Sequence, residues 1–247
     1  MRSEHCKKHA DDLISYAERY LPDEIKDQFE LRKIYDSVSM GKRYLGMAIR
    51  NFLNFLETFS LMDEDDLMKY RRVIKLPKTK VDDYIPEDQE ILDIWRKIDD
   101  EDYEMIFELL MYSGIRLIEA VELINTFDSN RLMINGEVAK YPLSKNRETK
   151  KILYVYMPKG FALRLRRIDK TEPQVRQYFV RLGLPAKYIR KWNYNFMLSH
   201  NIPESICDYI QGRAIHRVGG LHYLAKDQQA TKFYEKIIPQ FPRKLKS

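Results

Sequence analysis

The residues best suited to chemistry in this sequence are a tyrosine near the C-terminus, Tyr223, and four cations that precede it. The cations are Arg116, Lys187, Arg190 and Arg213, and the spacing of Lys187 and Arg190 places them on one face of a predicted helix. A guanidinium stays charged at physiological pH and binds phosphate oxygens in a bidentate manner. A tyrosine hydroxyl can act as a nucleophile and form a covalent intermediate. This combination suits attack on a phosphodiester.

Sequence motifs for metal ions and nucleotide cofactors are absent. The histidines show neither the HExxH pattern nor paired Cys/His ligand spacing: His5, His9, His200, His216 and His222. The nucleotide-binding patterns GxxxxGK(S/T) and GxGxxG do not occur either. We therefore expect no cofactor and no metal, and a zinc-dependent or nucleotide-driven enzyme is disfavoured.

Positive charge is concentrated in one part of the chain, although the net charge is only +6. Residues 141–190 contain 13 Lys/Arg and 3 Asp/Glu, whereas residues 82–108 contain 12 Asp/Glu and 2 Lys/Arg. A local excess of positive charge is typical of a phosphate-binding surface, which favours nucleic acid as the partner. A solvated face that balances acidic neighbours is the alternative.

The sequence gives no sign of a membrane or secreted protein. No stretch approaches the roughly 20 apolar residues of a membrane helix, and the N-terminus lacks the apolar region of a secretion signal. The two cysteines, Cys6 and Cys207, lie far apart, as expected of free thiols in a reducing compartment. We expect a cytoplasmic, DNA-associated protein without a membrane partner.

A polar segment with two prolines, residues 76–86, lacks helical periodicity and predicts an extended linker. Before it, residues 1–75 predict a small helical bundle with a basic edge at Lys42, Arg43 and Arg50. The apolar residues that carry this helical spacing are Leu13, Tyr16, Ala17, Tyr20, Tyr44, Met47, Ala48, Phe52, Phe55, Leu56 and Phe59. Residues 87–247 then form a second domain.

The second domain is predicted to be mostly helical with one small sheet. The segment 101–124 is amphipathic and breaks at Ser113-Gly114, so Arg116 would project from a restarted helix whose N-terminus favours a phosphate. Three short β-rich runs follow at 131–134, 138–143 and 151–156, and Asn135-Gly136 predicts a hairpin between the first two. The predicted fold class is mainly α (α+β), with a three-stranded antiparallel sheet.

Any one of the 17 tyrosines is more often a packing residue than a nucleophile, but the order of the motifs is specific. Ser113-Gly114-Ile115-Arg116, a basic hairpin, Lys187-Tyr188-Ile189-Arg190, Gln211-Gly212-Arg213 and His222-Tyr223 follow one another. This series resembles the tyrosine recombinase (lambda integrase) family, most closely the integrases of archaeal spindle-shaped viruses and related plasmids. The resemblance covers about residues 84–237. Residues 1–75 resemble the family's core-binding module only in being helical and preceding an extended linker.

The resemblance implies a role for each of these residues. Arg116 and Arg190 would be the two catalytic arginines, and Tyr223 would be the nucleophile. Lys187 falls where most members have histidine, and Arg213 replaces the next histidine or tryptophan. The usual candidate for the general base is therefore missing. Our hypothesis is that the surrounding cations stabilise the phenolate of Tyr223 in place of a histidine base.

Family members also have a lysine in the hairpin turn, which would protonate the leaving 5′ oxygen of the DNA. The turn of this chain offers Lys145, Arg147 and Lys150. Lys145 is favoured because it follows the strand directly, and a lysine is a far better acid than an arginine. Arg147 and Lys150 stay open, since the most similar family members have an arginine inside this turn.

The implied function is site-specific recombination of double-stranded DNA through a covalent 3′-phosphotyrosine. An amphipathic tail at 224–247 carries Ala230, Phe233, Tyr234, Ile237 and Ile238. In the family such a tail often packs on a neighbouring protomer, which implies a homotetramer on two DNA sites. The tail could instead pack on its own core. Two further alternatives are a catalytically silent DNA-binding regulator of the same ancestry and a type IB-like topoisomerase.

Overall fold

The computed structural model describes residues 4–78, 82–143, 154–213 and 223–244, and it describes side chains from residue 9 in the first segment and from residue 225 in the last. The chain divides into two compact units, Met1–Asp82 and Asp83–Ser247. Helices dominate, and the strands belong to one three-stranded sheet, which confirms the predicted mainly α (α+β) class. None of the described helices is long and apolar enough to span a bilayer.

The first unit consists of helices whose buried faces share one small core. They are α1 (Glu4–Tyr20), α2 (Gln28–Ser37), α3 (Lys42–Thr58) and α4 (Glu64–Val73). Helix α2 begins at a side-chain cap, since the Asp27 carboxylate accepts hydrogen bonds from the backbone N–H groups of Phe29 and Glu30. The core contains Leu31, Tyr35, Val38, Leu45, Ile49, Leu53, Leu67 and Ile74.

The helical spacing predicted α3 correctly as a helix, but some of the apolar residues that carry this spacing face solvent. Phe52, Phe55 and Phe59 are exposed, whereas Leu45, Ile49 and Leu53 are buried. The two sets lie on different faces of one helix, and each set alone satisfies helical spacing. Periodicity therefore identified the helix without identifying the face that packs on the core.

The ends of the predicted linker pack on their own units. In the first unit, Nη1 of Arg43 donates a 3.1 Å hydrogen bond to the carbonyl oxygen of Pro77. In the second unit, Nζ of Lys191 donates a 3.2 Å bond to the carbonyl oxygen of Tyr84. Residues 79–81 between them lie outside the described residues. The functional domain boundaries drawn from the sequence stay a prediction.

The second unit follows the order predicted from the sequence. Its helices are α5 (Asp88–Lys97), α6 (Glu101–Ser113), α7 (Leu117–Asn125), α8 (Lys159–Ala162), α9 (Glu172–Arg181), α10 (Ala186–Ser199), α11 (Glu204–Gln211) and α12 (Tyr223–Ile237). Its strands are β1 (Met133–Asn135), β2 (Val138–Pro142) and β3 (Tyr154–Pro158). Helix α6 is almost wholly buried at the centre of the unit, so the residues at its C-terminal end are held rigidly.

The sheet has the order β1-β2-β3, and both pairs are antiparallel. Asn135 pairs with Val138, which confirms the predicted hairpin, and its two loop residues are Gly136, at φ +61°, and Glu137. Lys140 pairs with Tyr156 between β2 and β3. The hairpin that joins these two strands, with Lys145, Arg147 and Lys150, lies outside the described residues.

The C-terminal tail packs on the unit to which it belongs. Ala230, Tyr234 and Ile237 of α12 are buried in the core, and Phe241 follows them there. The Tyr234 hydroxyl donates a 2.9 Å hydrogen bond to the carbonyl oxygen of Tyr112. Of the two placements that the sequence left open for this apolar face, on a neighbouring protomer or on its own core, the buried residues of α12 take the second.

Candidate active site

The break between α6 and α7 fixes the position of Arg116. Gly114 ends α6 in the left-handed region at φ +60°, and Arg116 is the N-cap of α7. The Glu119 carboxylate accepts a 2.9 Å bond from the backbone N–H of Arg116 and a 2.7 Å bond from its Nη1. The sequence predicted that the N-terminus of this helix favours a phosphate. In the structure, the Glu119 side chain already accepts a hydrogen bond from one backbone N–H group there. Glu119 also orients the guanidinium.

Arg190 on α10 joins the ends of two other helices. Its Nη1 donates a 2.5 Å hydrogen bond to the carbonyl oxygen of Gly114, and its Nη2 donates a 2.9 Å bond to that of Gln211. Burial, and then the positive charges of Arg116 and Arg213 against the opposing effect of Glu119, together lower the pKa of Arg190 to about 10. Arg190 stays protonated at neutral pH, and the three arginines share one electrostatic environment.

A buried amide pair supports this arrangement, and the sequence analysis missed it. Nε2 of Gln211 donates to Oδ1 of Asn193 at 2.7 Å and to the carbonyl oxygen of Arg190 at 3.1 Å. Nδ2 of Asn193 donates in turn to the carbonyl oxygen of Met111 at 2.8 Å. Asn193 lies one helical turn after Arg190, and this spacing is the only sequence signal that could have identified it.

Arg213 follows α11 and lies against an aromatic ring. Its guanidinium carbon is 3.6 Å from the centroid of the Tyr194 ring, and its Nε donates a 3.2 Å bond to Oε1 of Gln211. The Tyr194 hydroxyl donates to Asp208 at 2.9 Å, which fixes the ring. Stacking and this bond orient the Arg213 side chain. Arg116 also reaches this segment, since its Nη2 lies 3.4 Å from the carbonyl oxygen of Gly212.

Of the other predicted site residues, Lys187 is described with its side chain and Tyr223 only with its backbone. Lys187 is exposed on α10, one turn before Arg190, and its Nζ lies 4.5 Å from the ring centroid of Tyr188. Tyr223 is the first residue of α12, and its side chain lies outside the described residues. Helix α12 packs against α11 and the sheet, so the backbone that carries the tyrosine belongs to the same unit as the arginines.

A second polar cluster, also missed from the sequence, joins α12 to the sheet. Nζ of Lys140 on β2 donates a 2.7 Å bond to Oδ2 of Asp227 on α12. The Tyr156 hydroxyl on β3 donates a 2.6 Å bond to Oδ1 of the same carboxylate. Lys140 and Asp227 are 87 residues apart in sequence. Spacing along the chain carries no information about this contact.

The sequence profile of the archaeal phage integrase family matches residues 83–240, which is more than half of the chain. The chain belongs to the archaeal phage integrase family. The match includes the whole segment from Arg116 to Tyr223 and confirms that the chain is a tyrosine recombinase of the integrase type. No individual curated protein sequence is significantly similar to this integrase chain.

Solved structures with the same fold are tyrosine recombinases of low sequence identity. A lambda integrase tetramer bound to a Holliday junction has a TM-score of 0.64 at 13% identity, over 88% of this chain and 74% of that chain. A lambda integrase dimer bound to a COC′ core site has a TM-score of 0.62 at 13% identity, over 86% of this chain and 89% of that chain. XerH site-specific recombinase bound to its difH substrate before cleavage has a TM-score of 0.55 at 12% identity, over 85% of this chain and 72% of that chain. These likenesses show that the integrase chain has the tyrosine recombinase fold.

Proposed function

We propose that this integrase is a site-specific recombinase that cleaves and rejoins DNA through a 3′-phosphotyrosyl intermediate, with Tyr223 as the nucleophile. The observation that carries the proposal is the convergence of Arg116, Arg190 and Arg213. These side chains come from three separate parts of the chain, and the charges of Arg116 and Arg213 both act on Arg190. Like charges gathered at one place lower stability, and the single negative charge of Glu119 offsets only part of the three positive charges. A phosphate is a further anion that suits guanidinium groups.

The arginines would stabilise the transition state of phosphoryl transfer. Attack on a phosphodiester adds negative charge to the non-bridging oxygens, and a preorganised donor aimed at that charge contributes about 3–4 kcal/mol. A guanidinium has five N–H groups, and the bonds of Arg190 to Gly114 and Gln211 use two of them. The remaining donors can bind the phosphate, while the carbonyl oxygens hold the side chain in place. Lys187 would add a further positive charge.

In the chemical step, a bond between phosphorus and the Tyr223 oxygen would replace the bond between phosphorus and the 5′ oxygen. The Tyr223 oxygen, after losing its proton, attacks phosphorus, and the new bond forms as the bond to the 5′ oxygen breaks. The leaving oxygen takes a proton from Lys145, with Lys150 and Arg147 as the alternatives in the same turn. Because the phosphotyrosyl bond keeps the energy of the cleaved bond, a 5′ hydroxyl can reverse the step without an external energy source.

The ionisation of Tyr223 would depend on nearby positive charge. A free tyrosine has a pKa near 10, so its hydroxyl is mostly protonated at neutral pH. Cations next to the oxygen favour the charged phenolate. Arg213 and Lys187 occupy the positions where most of the family has a histidine or tryptophan, and both would supply charge instead of a base.

Double-stranded DNA is the proposed partner, bound mainly through its phosphates. The basic segment 141–190 would provide the positive surface of the second unit. In the first unit, Lys42, Arg43 and Arg50 each donate a hydrogen bond inside their own unit, to Asp36, Pro77 and Ile74 respectively. Their remaining N–H groups can still bind phosphate. We propose a tetramer on two DNA sites, by analogy with the lambda integrase tetramer on a Holliday junction.

Two activities separate the proposal from its alternatives. A duplex selected from random DNA for tight binding to the full chain would be placed twice in one supercoiled plasmid. We expect recombinant products that carry exchanged flanking sequence. Relaxed plasmid without exchange would indicate the type IB-like topoisomerase, and bound but unaltered plasmid would indicate the silent regulator. Either of these two results would contradict the proposed function.

A further inference from the structure

Asp227 uses both carboxylate oxygens to bind two strands of the sheet. Oδ2 accepts from Lys140 on β2 at 2.7 Å, and Oδ1 accepts from Tyr156 on β3 at 2.6 Å. The side chains of Lys140 and Asp227 are only 9% and 16% exposed, and Tyr156 is buried. Burial, and then the bond to Asp227, raise the pKa of Tyr156, so its hydroxyl stays protonated and donates.

The two strands bound by Asp227 are those that flank the hairpin with the candidate general acids. Lys140 and Tyr156 form a cross-strand pair, so their side chains lie on the same face of the sheet. Strand β2 ends at Pro142 and β3 begins at Tyr154, and residues 143–153 connect them.

The helix that carries Asp227 begins at the proposed nucleophile. Asp227 lies four residues after Tyr223, which is about one turn of α12 and the same side of the helix. A shift or rotation of α12 against the sheet would therefore move Tyr223 relative to the hairpin. The bonds of Asp227 oppose such a shift, because two directed hydrogen bonds fix both the distance and the rotation of the helix.

The ion pair between Lys140 and Asp227 fixes the position of α12 on the sheet more than it adds to the free energy of unfolding. Removing two charges from water costs about as much as their attraction returns, and apolar side chains of similar size often stabilise a core equally well. Apolar contacts, however, tolerate sliding of a helix along a sheet. Tyr156 extends the cluster to α11, since its ring lies 6.5 Å from that of Tyr209, two residues before Gln211.

We propose that Asp227 is a positioning residue that holds the Tyr223 end of α12 in a fixed place against strands β2 and β3, so that Tyr223 and the general acid from the segment between these strands reach the same phosphate. This inference rests on the proposed function, because it assigns Asp227 a role in the cleavage step. Lys140 and Tyr156 serve as its anchors on the sheet and do not touch the DNA. Mispositioning of about 1 Å can lower a rate about 100-fold.

The test compares two DNA substrates in the Asp227→Asn variant of the full chain. One is a nicked suicide duplex with a normal phosphodiester, and the other has sulfur in place of the bridging 5′ oxygen. A thiolate leaves without a proton, so the second substrate does not need the hairpin lysine. We expect cleavage of the normal substrate to fall about 100-fold. Cleavage of the sulfur substrate should fall less, because displacement of Tyr223 still slows it but misplacement of the general acid does not.

Two further variants separate positioning from folding. Glu235→Gln is the matched control, because Glu235 lies on the same helix and, among the described residues, accepts a long 3.4 Å bond from the backbone N–H of Glu137. It should cleave both substrates like the wild type. Lys140→Met combined with Asp227→Asn removes the unpaired lysine, and this double variant should unfold at the wild-type temperature yet retain the cleavage defect.

The outcomes distinguish this inference from the proposed function. If the wild type cleaves neither substrate, the proposed function fails and the inference fails with it. If the wild type cleaves and Asp227→Asn cleaves equally fast, only the inference is overturned. A defect of equal size on both substrates, or one that disappears in the folded double variant, would also overturn it by showing a purely structural role.

Discussion

Nη1 of Arg190 donates a 2.5 Å hydrogen bond to the carbonyl oxygen of Gly114. Gly114 ends α6 in the left-handed conformation, and Arg116 begins α7 two residues later. A single break between two helices therefore orients both proposed catalytic arginines. The direction of the Gly114 carbonyl depends on a backbone conformation that glycine adopts without strain and other residues rarely adopt.

Gly114→Ala is predicted to damage the site and the fold together. At φ +60° an added Cβ would lie 2.1 Å from Oδ1 of Asn193 and 2.3 Å from Nε2 of Gln211, so the buried amide pair must move. We expect a loss of about 1–3 kcal/mol in the free energy of unfolding and a loss of DNA cleavage. Denaturant unfolding and cleavage of a suicide substrate measure the two effects.

Gly160→Ala is the control for this substitution. Beyond its own helix backbone and chain neighbours, no atom of the described residues lies within 4 Å of a Cβ at position 160, and its φ is not in the left-handed region. Stability and cleavage should both stay at the wild-type level. A Gly114→Ala variant as stable and active as this control would show that the helix break does not hold the arginines.

Arg190→Met is predicted to separate catalysis from stability. A pKa lowered from 12.5 to about 10 means that the surroundings disfavour the charged side chain by about 3 kcal/mol. Removing the charge relieves this cost but leaves the carbonyl oxygens of Gly114 and Gln211 without their donor, which costs a similar amount. We expect the free energy of unfolding to change by less than about 2 kcal/mol.

Cleavage by Arg190→Met should fall at least about 100-fold, because a donor to the transition state is lost. Arg96→Met is the control, since Arg96 is exposed and pairs with Asp93 on α5. It should leave both stability and cleavage unchanged. Strong destabilisation of Arg190→Met, or wild-type cleavage by it, would contradict the role given to Arg190.

The local features of this fold could be predicted from the sequence because each depends on neighbouring residues. Ser113-Gly114 ends one helix, and Gly136 lies in the turn between β1 and β2, and in each case the local residue types predict the feature. The order of Arg116, Arg190, Arg213 and Tyr223 likewise identified the family.

The contacts that orient these residues could not be predicted, because they join distant parts of the chain. Asn193 binds the end of α6, and Asp227 binds Lys140 across 87 residues. Helical spacing also left open which face of α3 is buried, and whether the tail packs on a neighbour or on its own core, which covers it. Packing of a whole unit decides such questions.

Arg213→His tests the proposal that positive charge replaces a general base. Histidine can carry a charge or accept a proton, and it stands at this position in many family members. We therefore expect the variant to retain part of its cleavage, whereas Arg213→Leu, which can do neither, should lose more. Cleavage of a suicide substrate would be measured for both, with thermal unfolding as the check of folding. Complete loss in a folded Arg213→His variant would argue against the proposal.

The packing of α12 predicts that each Tyr223 acts in the site of its own chain. Ala230, Tyr234 and Ile237 anchor the helix in the core of its own unit. A mixture of Tyr223→Phe and Arg190→Met chains contains no chain with both groups, so we expect no covalent adduct. A mixture of wild type and Tyr223→Phe is the control and should form it. An adduct in the first mixture would show that the tyrosine is donated to a neighbour.

The most direct test of the central claim is a covalent adduct between the full chain and a nicked suicide duplex. The DNA would be selected for tight binding, and the reaction would contain neither metal nor ATP. We predict a denaturation-resistant protein–DNA adduct with the wild type and none with Tyr223→Phe. A folded wild-type chain that binds this DNA but forms no adduct, or an equal adduct with Tyr223→Phe, would contradict the account.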